Sequence, residues 1–377
     1  MVPFFSPFVR SNEFYLAKTL AEFGHETTVI TSTAKAPREY QGQKRVSDAP
    51  FQLKYTPTLL NRVFSFAENP LTPFVWRDLD DSYDIIHLQE DFPLICQLAF
   101  CYAGRHSIST VMSSERYYYP AGLIKKSALS ILDRTVHKRM WRKLNAITTH
   151  TSEARRFFCA RGVNEERIKV ISDGVDSKLF KYQQGNFLQN HFGIDQGTVI
   201  LCVARLHPYK GLARLIQAMG IVSAECPESY LVIMGRGKEK EHLAALVKSL
   251  NLQKKVFFLE PEVPNKEMPK VYSSADIYVQ PSIIEPFGIA VLEAMACSRA
   301  IIGSQTGGMK DTIEDGKTGL LVPPGNVHEL AQALIALIRD KGRRQEMGQN
   351  ARKRVESLFD WQVITRQYLE LYEQLVK

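Results

Sequence analysis

The six cysteines, Cys96, Cys101, Cys159, Cys202, Cys226 and Cys297, include no C-x-x-C pair, which leaves a zinc knuckle or a redox dithiol without support. Their mostly apolar surroundings read as reduced, buried thiols. No run of about 18 uncharged apolar residues occurs, so no membrane-spanning helix is expected. The opening Met1-Val2-Pro3-Phe4-Phe5 lacks the basic and long apolar regions of a secretory signal, and a cytoplasmic location is expected. With 22 Gly and 18 Pro, the chain has too little of either for collagen-like or low-complexity sequence, and no period of 20 to 50 residues repeats. Glycine-rich nucleotide fingerprints are missing too. Gly235-Arg236-Gly237 lacks the third glycine of a dinucleotide loop, and Asp311 stands where a phosphate loop ending in Gly316-Lys317-Thr318 needs its first glycine. Both absences argue against a nicotinamide dehydrogenase and a P-loop NTPase.

What is present is the composition of an ordinary globular protein: 377 residues, 45% hydrophobic and 23% charged, enough for two domains with separate cores. A net charge of +8 favours anionic partners. Short β-rich apolar runs alternate with amphipathic stretches through both halves, the pattern of parallel sheets with helical crossovers. In the first half strands are expected at Thr27 to Thr31, Ile85 to Leu88, Thr110 to Ser113, Ala146 to His150 and Ile168 to Ile171, with a helix from Asn12 to Phe23. The second half restarts at Val199 to Val203, followed by strands at Tyr230 to Met234 and Val256 to Leu259. The polar stretch from Ser177 to Gly197 reads as an interdomain connection, with the boundary near Phe180.

Two segments carry chemistry. Pro281-Ser282-Ile283-Ile284-Glu285-Pro286-Phe287-Gly288-Ile289-Ala290-Val291-Leu292-Glu293-Ala294 follows a strand and opens a helix. Pro286 stops any earlier helix, and Gly288 lets backbone approach a ligand where free N–H groups favour an anion or an acceptor-rich sugar. Glu285 thus falls at the carboxyl edge of a parallel sheet. The second segment, Val203-Ala204-Arg205-Leu206-His207-Pro208-Tyr209-Lys210-Gly211, also leaves a strand and enters a helix. Arg205 offers a planar fork and Lys210 a point charge, a combination suited to a diphosphate.

In this order, about 80 residues apart, the two segments resemble retaining glycosyltransferases of family 4. The first half adds Asn12 to Lys18, Gly24-His25-Glu26, Asp84-Ile85-Ile86-His87 and Ser172-Asp173-Gly174-Val175-Asp176. The resemblance covers nearly the whole chain. It implies an α/β protein of the GT-B fold, with two Rossmann-like, doubly wound domains facing a central cleft. Residues 1–180 would bind the acceptor and 181–360 the nucleotide sugar, while a last helix at about 361–377 packs back on the first domain. Arg205 and Lys210 would hold the donor diphosphate, Glu293 the ribose and Glu285 the sugar ring, with the amides of Phe287, Gly288 and Ile289 cradling that sugar. The chain around Val263 would edge the base. A hexose would pass, with retention, from a UDP-sugar or GDP-mannose to a hydroxyl acceptor, a saccharide or a lipid-linked group. No cofactor and no metal are expected, since Arg205 and Lys210 supply the positive charge and Asp78-Leu79-Asp80 reads as a solvated helix end.

Three positions depart from the family pattern. The opening strand is nearly absent: Met1 stands where it should end, so either the start is misplaced or part of a central strand is missing. Arg10-Ser11 replace paired glycines under the donor phosphates, and Arg10 would contact a phosphate. Glu115 replaces a histidine, where it would accept the acceptor's proton or bind the donor sugar. Glu115, with Arg116 and His87, is assigned to the acceptor side, although His87 is equally readable as a strand cap.

Charge is concentrated from Arg116 to Lys143, where eight basic residues face one acid, Asp133. Leu129, Leu132, Val136, Met140 and Leu144 form an apolar stripe expected in the core; Arg134, Lys138 and Arg142 form a basic stripe. That stripe, with Lys125, Lys126 and Tyr117-Tyr118-Tyr119, suits an anionic membrane surface and a peripheral location on its inner face. The same stretch would serve a nucleic-acid binder, but two α/β domains and a carboxylate-lined loop would then lack a purpose, so no nucleic acid is expected. An epimerase or hydrolase on the same fold is the other enzymatic alternative.

Overall fold

The computed structural model describes residues 12–32, 49–58, 71–116, 130–260 and 263–376. In chain order its strands are β1 (Thr28–Ser32), β2 (Gln52–Thr56), β3 (Ile85–Gln89), β4 (Ser109–Ser114), β5 (Ala146–Thr149), β6 (Ile168–Val170), β7 (Thr198–Val203), β8 (Ser229–Met234), β9 (Val256–Leu259), β10 (Ile277–Gln280), β11 (Ala300–Ser304) and β12 (Gly319–Val322). The helices that position the site and the cores are α1 (Asn12–Glu22), α2 (Leu94–His106), α3 (Lys138–Lys143), α4 (Phe187–Phe192), α5 (Leu212–Glu225), α6 (Ile289–Ala296), α7 (Lys341–Arg354) and α8 (Trp361–Val376). Contacts divide the chain into two compact units, one running to Asp173 and taking in Trp361–Lys377, the other Gly174–Asp360.

The second unit is a six-stranded parallel sheet in the order β12-β11-β10-β7-β8-β9. Its central strand β7 carries Val199, Ile200, Leu201 and Cys202, all fully buried, because helices cover both faces and every side chain meets apolar neighbours. The chain winds outward from β7 through β8 and β9, then restarts at β10 on the other side. The direction of winding therefore reverses between β7 and β10, the place where doubly wound sheets open a crevice at their carboxyl ends.

In the first unit the sheet order is β3-β4-β5-β6, with β1 and β2 forming a separate parallel pair. The α8 helix belongs to this unit: Trp361 stacks on Tyr15 with ring centroids 5.7 Å apart, and Ile364, Tyr368 and Leu371 are buried beside Phe14, Val111 and Ile171. His87 ties three elements together. Its Nδ1 lies 2.5 Å from Tyr372 Oη on α8, and its Nε2 2.7 Å from Ser113 Oγ on β4.

Several expectations need correction. The boundary near Phe180 moves to Asp173/Gly174, because Val175 and Phe180 pack in the second unit's core and the Val175 N–H donates to Phe359 O at 2.8 Å. The polar stretch 177–197 is not a free connection; it contains α4, whose Leu188 is fully buried. β2 had no apolar run to announce it, since an edge strand of sequence Gln-Leu-Lys-Tyr-Thr buries little. On the basic segment Met140 and Leu144 are buried, but Leu132 and Val136 are 40% and 47% exposed. A π-turn at Asp133–His137 adds a residue to the helical repeat, rotating those two outward and turning Asp133 and His137 inward. Leu129, Lys125, Lys126 and Tyr117–Tyr119 lie outside the described residues.

Burial pushes His87 down to about 3 from its usual 6.5, so it is neutral in the fold while the unfolded chain takes up a proton below pH 6.5. Its stability contribution is therefore complete above pH 6.5 and is lost as pH falls toward 3. Relative to His87→Gln, wild-type unfolding free energy should drop by up to about 1.4 kcal/mol per pH unit across that window. A pH-independent difference in urea titrations would contradict this.

Candidate active site

Both sequence motifs leave the strands that flank the switch point of the second unit. After β7 the chain passes Arg205 and makes a 3₁₀ turn at Pro208–Lys210, capped by the His207 ring, before Gly211 opens α5. After β10 it runs through Pro281 to Phe287, and Gly288 opens α6. Gly211 has φ +69°, and a Cβ there would lie 2.0 Å from Pro281 O, so only glycine lets the two loops meet backbone to backbone. The N–H groups of Ile283 and Ile284 donate to Tyr209 O at 2.8 and 3.3 Å, completing that seam. No side chain caps the start of α5 or α6, whose first-turn N–H groups form two positive helix ends beside the loops.

The seam brings the chemistry together. Lys210 Nζ lies 2.6 Å from Glu285 Oε2, and both residues are buried, at 8% and 5% exposure. The same oxygen accepts from Ser282 Oγ at 2.8 Å and from Gln280 Nε2 at 3.1 Å. All donors converge on Oε2, so Oε1 receives none among the described residues. Arg205 is exposed; its guanidinium lies 5.7 Å from the Tyr209 ring centroid, and Lys210 Nζ lies 5.3 Å from it, so one ring steers both cations. A third loop braces the backbone that carries the carboxylate: Gly308 N–H donates to Glu285 O and Pro286 O, and Thr306 Oγ1 to Ile283 O. Phe287 is buried beneath this loop, Gly288 has φ +100°, and Ile289 is exposed at the helix start.

Glu293, one helical turn further along, accepts a 2.5 Å hydrogen bond from Tyr272 Oη. Burial raises its carboxyl to about 7. Val263 is half-buried against the same core as Met268 and Leu259. Arg10 and Ser11 lie outside the described residues.

The acceptor-side residues meet a different fate. Arg116 is clamped: Nη1 bonds both oxygens of Asp91 at 3.0 and 2.8 Å, and Nη2 both oxygens of Asp133 at 3.0 and 2.9 Å. Trp141 Nε1 and His137 Nδ1 complete those carboxylates at 2.9 and 2.8 Å. Arg116 is therefore a strut that holds the π-turn to the loop after β3, not a group offered to an acceptor. His87, with both ring nitrogens engaged, is likewise built into the fold.

Glu115 instead stands in a titratable group that sequence reasoning missed. Its carboxylate, His150 and the fully buried Asp173 bring one ligand-type atom each within 4.8 Å of one another. His150 Nδ1 lies 3.3 Å from Asp173 Oδ1, and the Asn12 side chain faces the same carboxylate, though no hydrogen bond of good geometry reaches either oxygen. Beside them Glu90, at φ +67°, accepts from Ser114 Oγ at 2.7 Å and from the Glu115 N–H at 2.8 Å. Burial and the Asp173 charge lift Glu115 to about 8; burial and Asp91 lift Glu90 to about 7. Burial by itself would lower His150, but Asp173 and Glu115 outweigh it and raise it. Glu115 is thereby shifted toward its protonated form, in which it would donate a hydrogen bond. Asp78 and Asp80 are engaged locally, by Thr56 Oγ1 and the Ser82 N–H.

Two parallel-sheet α/β units, the second doubly wound with cations and a carboxylate at its switch point, match the GT-B fold of glycosyltransferases. Residues 14–179 match Glycosyltransferase Family 4 and residues 186–354 match Glycosyl transferases group 1, and the chain belongs to that family. It is 28% identical over 371 residues to an uncharacterized glycosyltransferase of Methanocaldococcus jannaschii, covering 95% of this chain and 92% of the relative. It is 31% identical over 228 residues to the alpha-maltose-1-phosphate synthase of Mycolicibacterium smegmatis, covering 56% of this chain and 58% of that one. A D-inositol 3-phosphate glycosyltransferase of Corynebacterium glutamicum is 31% identical over 223 residues, covering 56% and 52%. The fold is similar to a glycosyltransferase of Rickettsia africae (TM-score 0.81, 18% identity, 100% and 97% covered). It is also similar to Anabaena HepE solved with UDP (TM-score 0.80, 20% identity, 98% of each chain).

Replacing Arg116 by Met strands two buried carboxylates and should cost about 3–5 kcal/mol of stability. Adding Asp91→Asn and Asp133→Asn should recover part of it. An unchanged urea midpoint in Arg116→Met alone would show that the clamp carries no weight.

Proposed function

We propose that the chain transfers a hexose, with retention, from a nucleoside-diphosphate sugar to a hydroxyl acceptor. The observation that carries this reading is the buried Lys210–Glu285 pair beside two uncapped helix starts. A buried ion pair is a poor way to gain stability compared with apolar packing, so its placement at the switch point argues for use in chemistry. Breaking a sugar–phosphate bond builds negative charge on the leaving diphosphate and positive charge at the anomeric carbon. Lys210 and Arg205 meet the first and Glu285 the second, each fixed donor being worth on the order of 3 kcal/mol in a water-poor site. With cations already in place, transfer proceeds without a metal ion. Phe287, Gly288 and Ile289 present backbone to the sugar, Glu293 takes the ribose hydroxyls, and Val263 edges the base. The UDP carried by the structurally similar HepE supports a nucleotide donor, either a UDP-sugar or GDP-mannose. On the acceptor side Glu115 donates its proton in a hydrogen bond to the incoming group.

Nucleotide release from a panel of UDP- and GDP-sugars, with saccharide and lipid-linked acceptors, identifies the pair. Lys210→Ala and Glu285→Ala should each lower turnover at least about tenfold with the circular dichroism spectrum retained. Full activity in purified Glu285→Ala would refute the assignment. Sugar product lacking any acceptor would instead identify an epimerase or hydrolase.

The acceptor is proposed to be lipid-linked, with the enzyme peripheral on an anionic cytoplasmic membrane face. In support, the turns around α3 expose Ile131, at 63%, with Leu132 and Val136, among exposed Arg134, Arg139, Arg142 and Lys143. Each basic residue near such a surface is worth about 1 kcal/mol. The protein should sediment with phosphatidylglycerol vesicles and not with phosphatidylcholine ones, and Leu132→Asp with Arg134→Glu should abolish it. Equal sedimentation with both lipids would refute charge-directed docking.

A further inference from the structure

One face of β10 carries a polar row inside an apolar sheet. Side chains alternate along the strand, so Ile277 and Val279 enter one core cluster while Tyr278 lies in the other, with Gln280 on its face and Ser282 next beyond it. Tyr278, Gln280 and Ser282 are all buried, which costs desolvation that an apolar strand end would avoid. Each is hydrogen-bonded to the next. Tyr278 Oη donates to Gln280 Oε1 at 2.7 Å; Gln280 Nε2 donates to Ser282 Oγ at 2.9 Å and to Glu285 Oε2 at 3.1 Å. Tyr278 Oη also lies 3.2 Å from Val203 O at the end of β7, so the row spans the switch point and ends on the carboxylate that pairs with Lys210.

The chemistry of the donors fixes the direction of this row. An amide has an acceptor end and a donor end, and only the donor end can face an anion. Turned over, Gln280 would set its oxygen against Glu285 Oε2, acceptor to acceptor in a buried site. In the structure the phenol proton holds the acceptor end, and the amide N–H groups point onward. Tyr278 supplies the sole hydrogen bond to Gln280 Oε1 among the described residues. With Lys210 and Ser282, the amide then completes three donors on Glu285 Oε2, and Oε1 is left for a ligand. We infer that Tyr278 and Gln280 are positioning residues of the transferase: the phenol orients the amide, and the amide keeps Glu285 Oε2 on Lys210 with Oε1 toward the sugar. Because it takes Glu285 to serve the donor sugar, this role rests on the transfer proposed above.

The full chain is compared with Tyr278→Phe, Gln280→Met and the double variant, by nucleotide release from UDP-glucose and GDP-mannose. Each single variant should lower kcat at least about tenfold while the donor KM moves less than about threefold. The double variant should be no slower than the slower single one, since both breaks fall on one path. Losses that multiply, or unchanged kcat in both variants while Glu285→Ala is inactive, would overturn the positioning role and leave the transfer reading standing; full activity in Glu285→Ala would sink the transfer reading itself. Should Tyr278→Phe alone not fold, the double variant, which strands no amide oxygen, is set against Gln280→Met. Equal kcat in those two, at about a tenth of wild type or less, supports the row, and a further drop overturns it. A second readout needs no turnover. In the chain labelled with ¹⁵N-glutamine, the Gln280 side-chain amide, identified by its loss in Gln280→Met, should exchange with solvent at least about tenfold faster in Tyr278→Phe than in wild type. Equal exchange overturns the proposal whether or not either donor is consumed.

Discussion

The contact between Lys210 and Glu285 depends on the backbone seam beneath it. Gly211 lies against Pro281 O at a distance no Cβ would allow, and the amides of Ile283 and Ile284 close on Tyr209 O. Two loops that leave neighbouring parallel strands are thereby locked at main-chain level before any side chain is placed. An ammonium and a carboxylate can then be held 2.6 Å apart with little access to water, each desolvated at a cost that the other offsets. Gln280 and Ser282 keep the carboxylate from turning away, while Thr306 and Gly308 hold the main chain that carries it. The arrangement fixes charge ahead of reaction, which is where electrostatic catalysis gains most.

The first unit uses charge in two opposed ways. Around Arg116 every buried charge is matched, with two carboxylates fully bonded by guanidinium, indole and imidazole, and the result is rigid. Around Glu115 the matching is incomplete. Three carboxylates share one histidine, and two of those carboxyls rise to about 7 and 8. Carboxyls poised near neutrality at the carboxyl ends of β3 and β4 are suited to exchanging hydrogen bonds with a ligand. The neighbouring Arg116 clamp supplies the stiff wall they stand on.

Legibility differed between the two units for physical reasons. In the second, β7, β8, β10 and β11 are almost wholly buried and so appear in the sequence as largely apolar runs; the loop motifs follow directly from β7 and β10. Gln280 was the missed signal there, a polar residue ending an apolar strand, and it proves to bond Glu285. In the first unit β2 is a polar edge strand, and the helical repeat breaks at the π-turn, so the expected stripe through Leu132 and Val136 pointed the wrong way. His150 and Asp173 were unreadable as partners of Glu115 because 35 and 58 residues separate them from it in the chain.

Local chemistry in the sequence determined the α/β class and the two switch-point loops that carry Arg205, Lys210 and Glu285, while Glu293 was singled out through the family resemblance. Strand burial and glycine or proline stops act over a few residues and leave a trace in order and spacing. Only the tertiary structure decided that Arg116 and His87 are built into the fold, that burial beside Asp173 raises the Glu115 carboxyl, and that the unit boundary falls at Asp173. Those outcomes arise from desolvation and from distant carboxylates meeting in space, and neither quantity is written in the spacing of residues along a chain.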